Sequence, residues 1–474
     1  MNNSFSHNHY DYLFRSVIWL IINIIVAVVL TQPSDINHII FTILNVVSYV
    51  FCVWHWVKCS GSFLSLYVFF VLYTAVSNLG QSVLCLFSVP QEFLPLFDLV
   101  KFKWIFEEVR FQSLCSAALN LGTVLYVYRC SRVTSLEMRR ESYSQLIPNR
   151  KSTYSLFLEV LLYVCLIYMA MNCLKMISMR QTMSYADFFE EGRGETASFF
   201  TSWLKYGVIA LPLWAIFSKR KTTFVYASLG FFILALMLVG SRGLAIRYIA
   251  ILMITLPIVS PNLFKKRYTV LWIAAAFVFF SFLSVISISR TESLSGGVFE
   301  SDNAIGYNAL ATISEIGGAA RPAALTIEAN ETSVPHHQTI LVSLIRAVIP
   351  FSSRLPIVQR ESFLLSDWVT EYAGSYWSGL GYSNIGELFM NYSWFGWVFM
   401  LFYGWFIAYA ENTAYRNITK GKYLYAVILL TILTVQLVWA RGEMCAFFGI
   451  WRSSIYFLVI GYFLAHGGEK KLSA

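Results

Sequence analysis

The sequence predicts an all-α polytopic membrane protein with about twelve transmembrane helices and one large extracytoplasmic loop. Three observations carry that expectation. Of 474 residues, 57 % are hydrophobic and only 13 % charged, about half the charged share of an average soluble domain, so charge is too scarce to wet a body of this size. The apolar residues fall in runs of about 20, the length a helix needs to cross a bilayer whose core offers the backbone no water. The mean hydropathy is positive, at +0.60. Disorder is excluded by an aromatic content of 17 %, the reverse of a composition that stays unfolded. The net charge of +9 lies between the apolar runs and not in one patch, which excludes a nucleic-acid partner.

The runs lie near 16 to 31, 38 to 57, 62 to 88, 111 to 129, 154 to 174, 199 to 217, 223 to 240, 244 to 260, 268 to 288, 393 to 411, 424 to 439 and 445 to 465. No small-residue cleavage site follows the first, so it reads as a retained helix, not a signal sequence. Only Ser241, Arg242 and Gly243 join the seventh run to the eighth, and only Ala440, Arg441, Gly442 and Glu443 join the last two. Three regions result: spans 1 to 9 in 1–288, a loop in 289–392, and spans 10 to 12 in 393–474. The eight cysteines lie mostly in or beside apolar runs and read as small core residues.

Placing the N-terminus inside puts 19 of the 35 basic residues, with only five acids, in the tails and even-numbered connections. The remaining 16 basic residues keep company with 21 acids. This bias is the positive-inside rule; it sets both termini in the cytoplasm and the 289–392 loop outside. Two semi-apolar stretches in that loop, 304 to 327 and 339 to 358, are broken by Gly, Pro or Arg and read as helices at the outer interface. A structureless loop of such length is improbable, which makes the segment a candidate functional cap.

Lys205, Arg247 and Arg452 fall about six, four and eight residues into outside-to-inside helices, which at about 1.5 Å per residue is roughly 6 to 13 Å below the outer surface. A charge at such depth costs at least ~2.5 kcal/mol and marks a substrate path. An anionic ligand offsets this excess most simply. Arg242 opens the eighth helix, whose N-terminus already favours an anion. Arg441 and Arg452, eleven residues apart, fall within roughly 20° of one another on a continuous helix and form a basic stripe. Guanidinium forks suit a diphosphate, pairing two oxygens at once. The alternatives are that Lys205 and Arg247 snorkel to the headgroups, and that Arg452 pairs with Glu159 or Glu443.

The loop closes with Gly379-Leu380-Gly381-Tyr382-Ser383-Asn384-Ile385-Gly386-Glu387-Leu388-Phe389-Met390-Asn391-Tyr392-Ser393-Trp394-Phe395-Gly396. On a helix Ser383, Glu387 and Asn391 form one polar stripe. Glu387 there serves as a base, orients a sugar hydroxyl, caps the helix or pairs with an outer arginine. This run resembles the pattern of Wzy-type O-antigen and oligosaccharide repeat-unit polymerases, through Gly381, Tyr382, Ser383, Glu387, Asn391 and Gly396. Spans, large outer loop and outward arginines are similar too. The paired R-x10-G motif of some members is absent, with Ser301 eleven residues after Arg290 and no Gly at that distance from Arg321.

The resemblance implies a GT-C-like membrane glycosyltransferase that transfers a growing glycan from undecaprenyl diphosphate to the next lipid-linked repeat unit, on the periplasmic side of the bacterial inner membrane. A chain-length-regulating co-polymerase is an implied partner. Expected catalytic residues are Glu387 first, then His336 or His337. Expected diphosphate and glycan contacts are Lys205, Arg242, Arg247, Arg290, Arg441, Arg452, Tyr382, Ser383 and Asn391. No cofactor and no metal are expected, since adjacent His336 and His337 have no carboxylate or cysteine at ligand spacing. Two rival functions remain at this level. A flippase or secondary transporter shares the helix number but uses a midplane site, and an O-antigen ligase shares the substrate and layout.

Overall fold

The computed structural model describes residues 3–130, 133–145, 153–182, 199–264, 305–332, 338–349, 355–360, 365–374 and 381–472. Regular structure among them is helical throughout. The α-helices are α1 (Asn3–Val29), α2 (Asp35–Ser60), α3 (Leu66–Leu86), α4 (Pro95–Leu99), α5 (Phe102–Arg129), α6 (Leu136–Gln145), α7 (Thr153–Thr182), α8 (Phe199–Phe217), α9 (Thr222–Val239), α10 (Arg242–Val259), α11 (Ile305–Ile316), α12 (Ala320–Thr332), α13 (Thr339–Val348), α14 (Pro356–Arg360), α15 (Leu365–Tyr372), α16 (Asn384–Tyr392), α17 (Gly396–Thr419), α18 (Tyr423–Gln436) and α19 (Met444–Leu472).

Eight described stretches are long and apolar enough to cross a membrane: Tyr10–Val29, Asp35–Ser60, Leu66–Leu86, Ser155–Thr182, Thr222–Val239, Asn384–Thr419, Tyr423–Arg441 and Met444–Phe463. The chain is a multi-pass membrane protein. The expected sixth and eighth spans are helical but shorter, at Thr201–Phe217 and Gly243–Val259. The expected ninth, 268 to 288, lies outside the described residues. On α7, Leu156, Val160, Val164, Ile167, Met171 and Leu174 are all exposed. They recur every three or four residues and form one apolar stripe, a face suited to lipid and unsuited to water.

The chain divides into two units, one of residues 1–136, 313–412 and 436–448, the other of 137–312, 413–435 and 449–474. In the first unit α5 is covered by α1 and α2. This helix contains the expected fourth span but falls short of the apolarity of the eight stretches above. Its polar residues are instead matched inside the protein. Asn45 donates to the Val109 carbonyl at 2.9 Å and accepts from Ser116 at 3.0 Å. His55 Nδ1 meets Asn120 Oδ1 at 2.9 Å, and Asn120 donates to Ser16 at 3.1 Å. Small and polar side chains hold helices together where no hydrophobic gain exists between protein and lipid.

Gly122 of α5 and Gly404 of α17 extend that logic to backbone contact. A Cβ on Gly122 would overlap the Leu401 carbonyl, and one on Gly404 the Leu119 carbonyl. The stretch from 304 to 327, expected to lie at the interface, breaks at Gly317–Ala319 into α11 and α12. Residues 319 to 327 are buried, with α12 packed against α3, α5 and α16. Its alanines 320, 323, 324 and 329 are short enough for close packing, and so the helix lies within the unit and not on its surface.

In the second unit α7 packs on α8 and α9, and α9 on α10. Glu159 of α7, an expected partner for Arg452, is held by Arg220 at 2.7 Å, and Arg220 also donates to Ser155 at 3.0 Å. The Arg139 guanidinium lies 3.5 Å from the centre of the Tyr415 ring, a cation over an aromatic face.

Candidate active site

The motif builds the first unit's interior around α16. Gly381 opens it at φ +69, in the left-handed region. Ser383 is the N-cap, its hydroxyl accepting from the Ile385 amide at 3.2 Å, and it donates to Asn78 Oδ1 of α3 at 2.6 Å. Tyr382 shares a hydrogen bond with Thr326 of α12 at 2.8 Å. Both residues are buried, so they pin α16 to its neighbours. The closing Gly396 is a matter of space, because a Cβ there would come within 2.8 Å of the Leu388 carbonyl.

Of the expected stripe, Glu387 and Asn391 share one partner, Thr339 at the start of α13. Thr339 donates to Glu387 Oε1 at 3.0 Å and accepts from Asn391 Nδ2 at 2.9 Å. Asn391 Oδ1 also accepts the Ile340 amide at 3.1 Å, so it caps α13. Glu387 Oε2 accepts two donors, the Trp439 indole N–H at 2.8 Å and the Met444 amide at 2.7 Å. Met444 begins α19, so the carboxylate faces a helix N-terminus, where the peptide dipoles favour negative charge. Glu387 is fully buried.

Two other buried acids of this unit, Glu443 and Glu411, also accept backbone amides at helix starts. Glu443 Oε2 accepts the Leu365 amide at 2.6 Å, at the N-terminus of α15. Burial pushes the Glu443 carboxyl up to about 7, the Leu365 hydrogen bond pulling the other way. Glu411 Oε2 accepts the Tyr67 amide near the start of α3 at 2.9 Å. Glu107 instead pairs with Arg110 at 2.8 Å.

Arg441 sits between the Glu387 contacts, at the end of the 3-10 turn Trp439–Arg441. It is half-buried, and its guanidinium makes no hydrogen bond or ion pair with any described residue. The expected stripe with Arg452 does not form, because Gly442 is extended and α19 starts only at Met444. The eleven-residue count assumed one unbroken helix. Of the two acids suggested for Arg452, Glu443 accepts from the Leu365 amide and Glu159 pairs with Arg220.

In the second unit Arg242 is the first residue of α10, as expected, and Arg247 is buried one turn further. Lys205 of α8 is half-buried. Arg452 is half-buried in α19. Arg290, His336 and His337 lie outside the described residues. Among the described residues no three His, Cys, Asp or Glu side chains converge as a metal site would need.

Sequence reasoning missed Trp439, Thr339, Asn78 and Arg346, whose guanidinium lies 3.4 Å from Cys445 Sγ at the start of α19. Arg346 had a signal, as a charge interrupting the 339 to 358 stretch. Trp439 had none, since an aromatic in an apolar run reads as lipid-facing.

Fold and site together describe a polytopic membrane protein in which a polar motif helix, buried among apolar spans, holds an arginine turn free of acidic partners. That is a membrane-embedded protein with a polar site in its interior. The chain belongs to the O-antigen polysaccharide polymerase Wzy family, whose model matches residues 12–466. It is an O-antigen repeat-unit polymerase, a glycosyltransferase-type enzyme acting on lipid-linked oligosaccharide units within the membrane. No curated protein and no solved structure matches it.

Proposed function

We propose that this polymerase works at the extracytoplasmic face of the bacterial inner membrane, with about twelve spans of the GT-C-like kind, both termini cytoplasmic and the 289–392 loop outside. The donor is the growing glycan on undecaprenyl diphosphate, and the acceptor is the next lipid-linked repeat. The acceptor hydroxyl oxygen bonds to the donor's anomeric carbon while the bond from that carbon to the diphosphate breaks. The diphosphate leaves on its lipid with the electron pair, and the hydroxyl proton passes to a base. Donors aimed at the charge developing on the leaving group stabilise the transition state.

Arg441 carries this reading. It is half-buried on a turn held from both sides, while Glu387, Glu411 and Glu443 are engaged by helix amides, and its charge is therefore left for an anion. Arg242, Arg247, Arg290, Arg452 and Lys205 are further candidate contacts for the diphosphate and the glycan. Tyr382, Ser383 and Asn391 act through the wall they build. His336 or His337 serves as the base in this scheme. Glu387, first choice from the sequence, is given another role below, because its oxygens already hold three donors. Arginines supply the electrostatic stabilisation a metal would, and a co-polymerase sets chain length.

The test is reconstitution. Purified protein in lipid nanodiscs, given a synthetic undecaprenyl-diphosphate repeat and excess EDTA, is expected to produce a ladder of lengthened glycans. Single repeats with EDTA, and a ladder on adding back a divalent metal, would remove metal independence. The orientation is tested with a membrane-impermeant thiol reagent, using Glu92→Cys and Lys221→Cys, both at exposed positions. The positive-inside rule predicts labelling from outside at 92 and none at 221. The opposite pattern overturns the side of action.

A further inference from the structure

We propose that Glu387 and Glu443 are positioning residues for polymerisation, which set the orientation of the Arg441 guanidinium by bracketing the turn that carries it. The inference rests on the reading of Arg441 as a diphosphate contact and names what holds that contact in place.

The bracket is visible in the bonds. One oxygen of Glu387 takes a donor from Trp439, two residues before Arg441, and another from Met444, three residues after it. The other oxygen takes the Thr339 hydroxyl and ties the turn to α13. Glu443, two residues after Arg441, is anchored on the Leu365 amide. Trp439 is fully buried and its ring meets Tyr403 edge to face, with centroids 4.6 Å apart. Arg441 itself contributes only its backbone amide, bonded to Val438 at 3.1 Å.

Every strong contact around the turn is therefore made by its neighbours, so the backbone that carries the guanidinium is fixed while the guanidinium itself stays unused. Such an arrangement presents a cation to a ligand with no backbone ordering left to complete when the ligand arrives. A displacement of about 1 Å at a transition-state contact can cost ~100-fold in rate, so a residue with no substrate contact can control turnover through this turn. The motif then has a physical account: Ser383, Glu387 and Asn391 fasten α16 to α3, α19 and α13 in turn, and the arginine turn is stabilised by the second of these contacts.

A glutamine at 387 keeps an oxygen for Trp439 and Met444 and an amide group that can donate to the Thr339 hydroxyl. An alanine keeps neither. The experiment measures chain extension of a synthetic undecaprenyl-diphosphate repeat by the full-length protein in nanodiscs, for Glu387→Gln, Glu387→Ala, Arg441→Ala and the Glu387→Ala/Arg441→Ala double variant, beside inhibition by added undecaprenyl diphosphate. Positioning predicts that Glu387→Gln stays within ~10-fold of the parent and that Glu387→Ala falls ~100-fold with weakened inhibition. It also predicts that the double variant is no slower than Arg441→Ala alone, since residues acting as one unit are not additive. Loss in Glu387→Gln equal to that in Glu387→Ala would make the carboxylate a proton acceptor and overturn the proposal. So would multiplicative losses in the double variant. Should Glu387→Ala not fold, Trp439→Phe removes one donor and keeps the ring; a loss in transfer and in inhibition at an unchanged melting temperature supports positioning, and parental transfer refutes it. Full activity in Arg441→Ala fails the Arg441 reading itself, a different result from any of these.

Discussion

Arg441→Ala is expected to lower glycan polymerisation at least ~100-fold while leaving the protein inserted and folded. The size follows from what a single donor to developing charge is worth in a water-poor site, about 100- to 1,000-fold in rate. The sparing of the fold follows from the structure, since the Arg441 side chain has no hydrogen bond or ion pair with the described protein and its backbone bond to Val438 is equally open to alanine. Stability and activity are thus separable at this position. Arg441→Lys is expected to recover only part of the loss, because an ammonium keeps the charge but loses the planar fork that pairs two oxygens. Gel profiles of surface glycan from cells carrying each variant, read beside membrane abundance of the protein, check this. Parental chain length in Arg441→Ala removes it from the site.

Gly404→Ala carries a large expected loss of stability. A helix-surface glycine usually accepts alanine with a gain in helix propensity, but here the added methyl would overlap the Leu119 carbonyl of α5. Overpacking a tight core by one carbon costs about 1 to 3 kcal/mol, and a rigid helix backbone cannot move aside as a side chain does. The expected result is a loss of ~3 kcal/mol or more, seen as a lower unfolding midpoint in detergent. Gly122→Ala, on the facing helix, should do the same. Gly230, with nothing near its Cβ position, should tolerate alanine. A parental midpoint in Gly404→Ala would mean that α5 and α17 do not touch as described.

Much of the fold was legible because membrane spans are written in local composition. The apolar runs at 16 to 31, 38 to 57, 62 to 88, 154 to 174 and 223 to 240 all became apolar helices, since a bilayer leaves the backbone no alternative. Even the boundary at Arg242 was readable from a three-residue connection. The run at 111 to 129 was harder. It became a helix, but one buried in protein and lined with Asn, Gln and Ser partners, and apolarity alone does not separate lipid from protein as the surrounding medium.

The motif marks the limit. Its residues, their spacing and the family they resemble could be read from the chain. Which way each side chain turns could not. Glu387 and Trp439 are 52 positions apart, Glu443 and Leu365 are 78, and Ser383 and Asn78 are 305. Contacts over such separations depend on how the helices pack. The sequence by itself determined a helical membrane protein of the Wzy kind with a polar motif before a late span. Only the tertiary structure decided that the motif's carboxylate faces a helix N-terminus and not a cation, because a buried charge takes its role from the groups that meet it there.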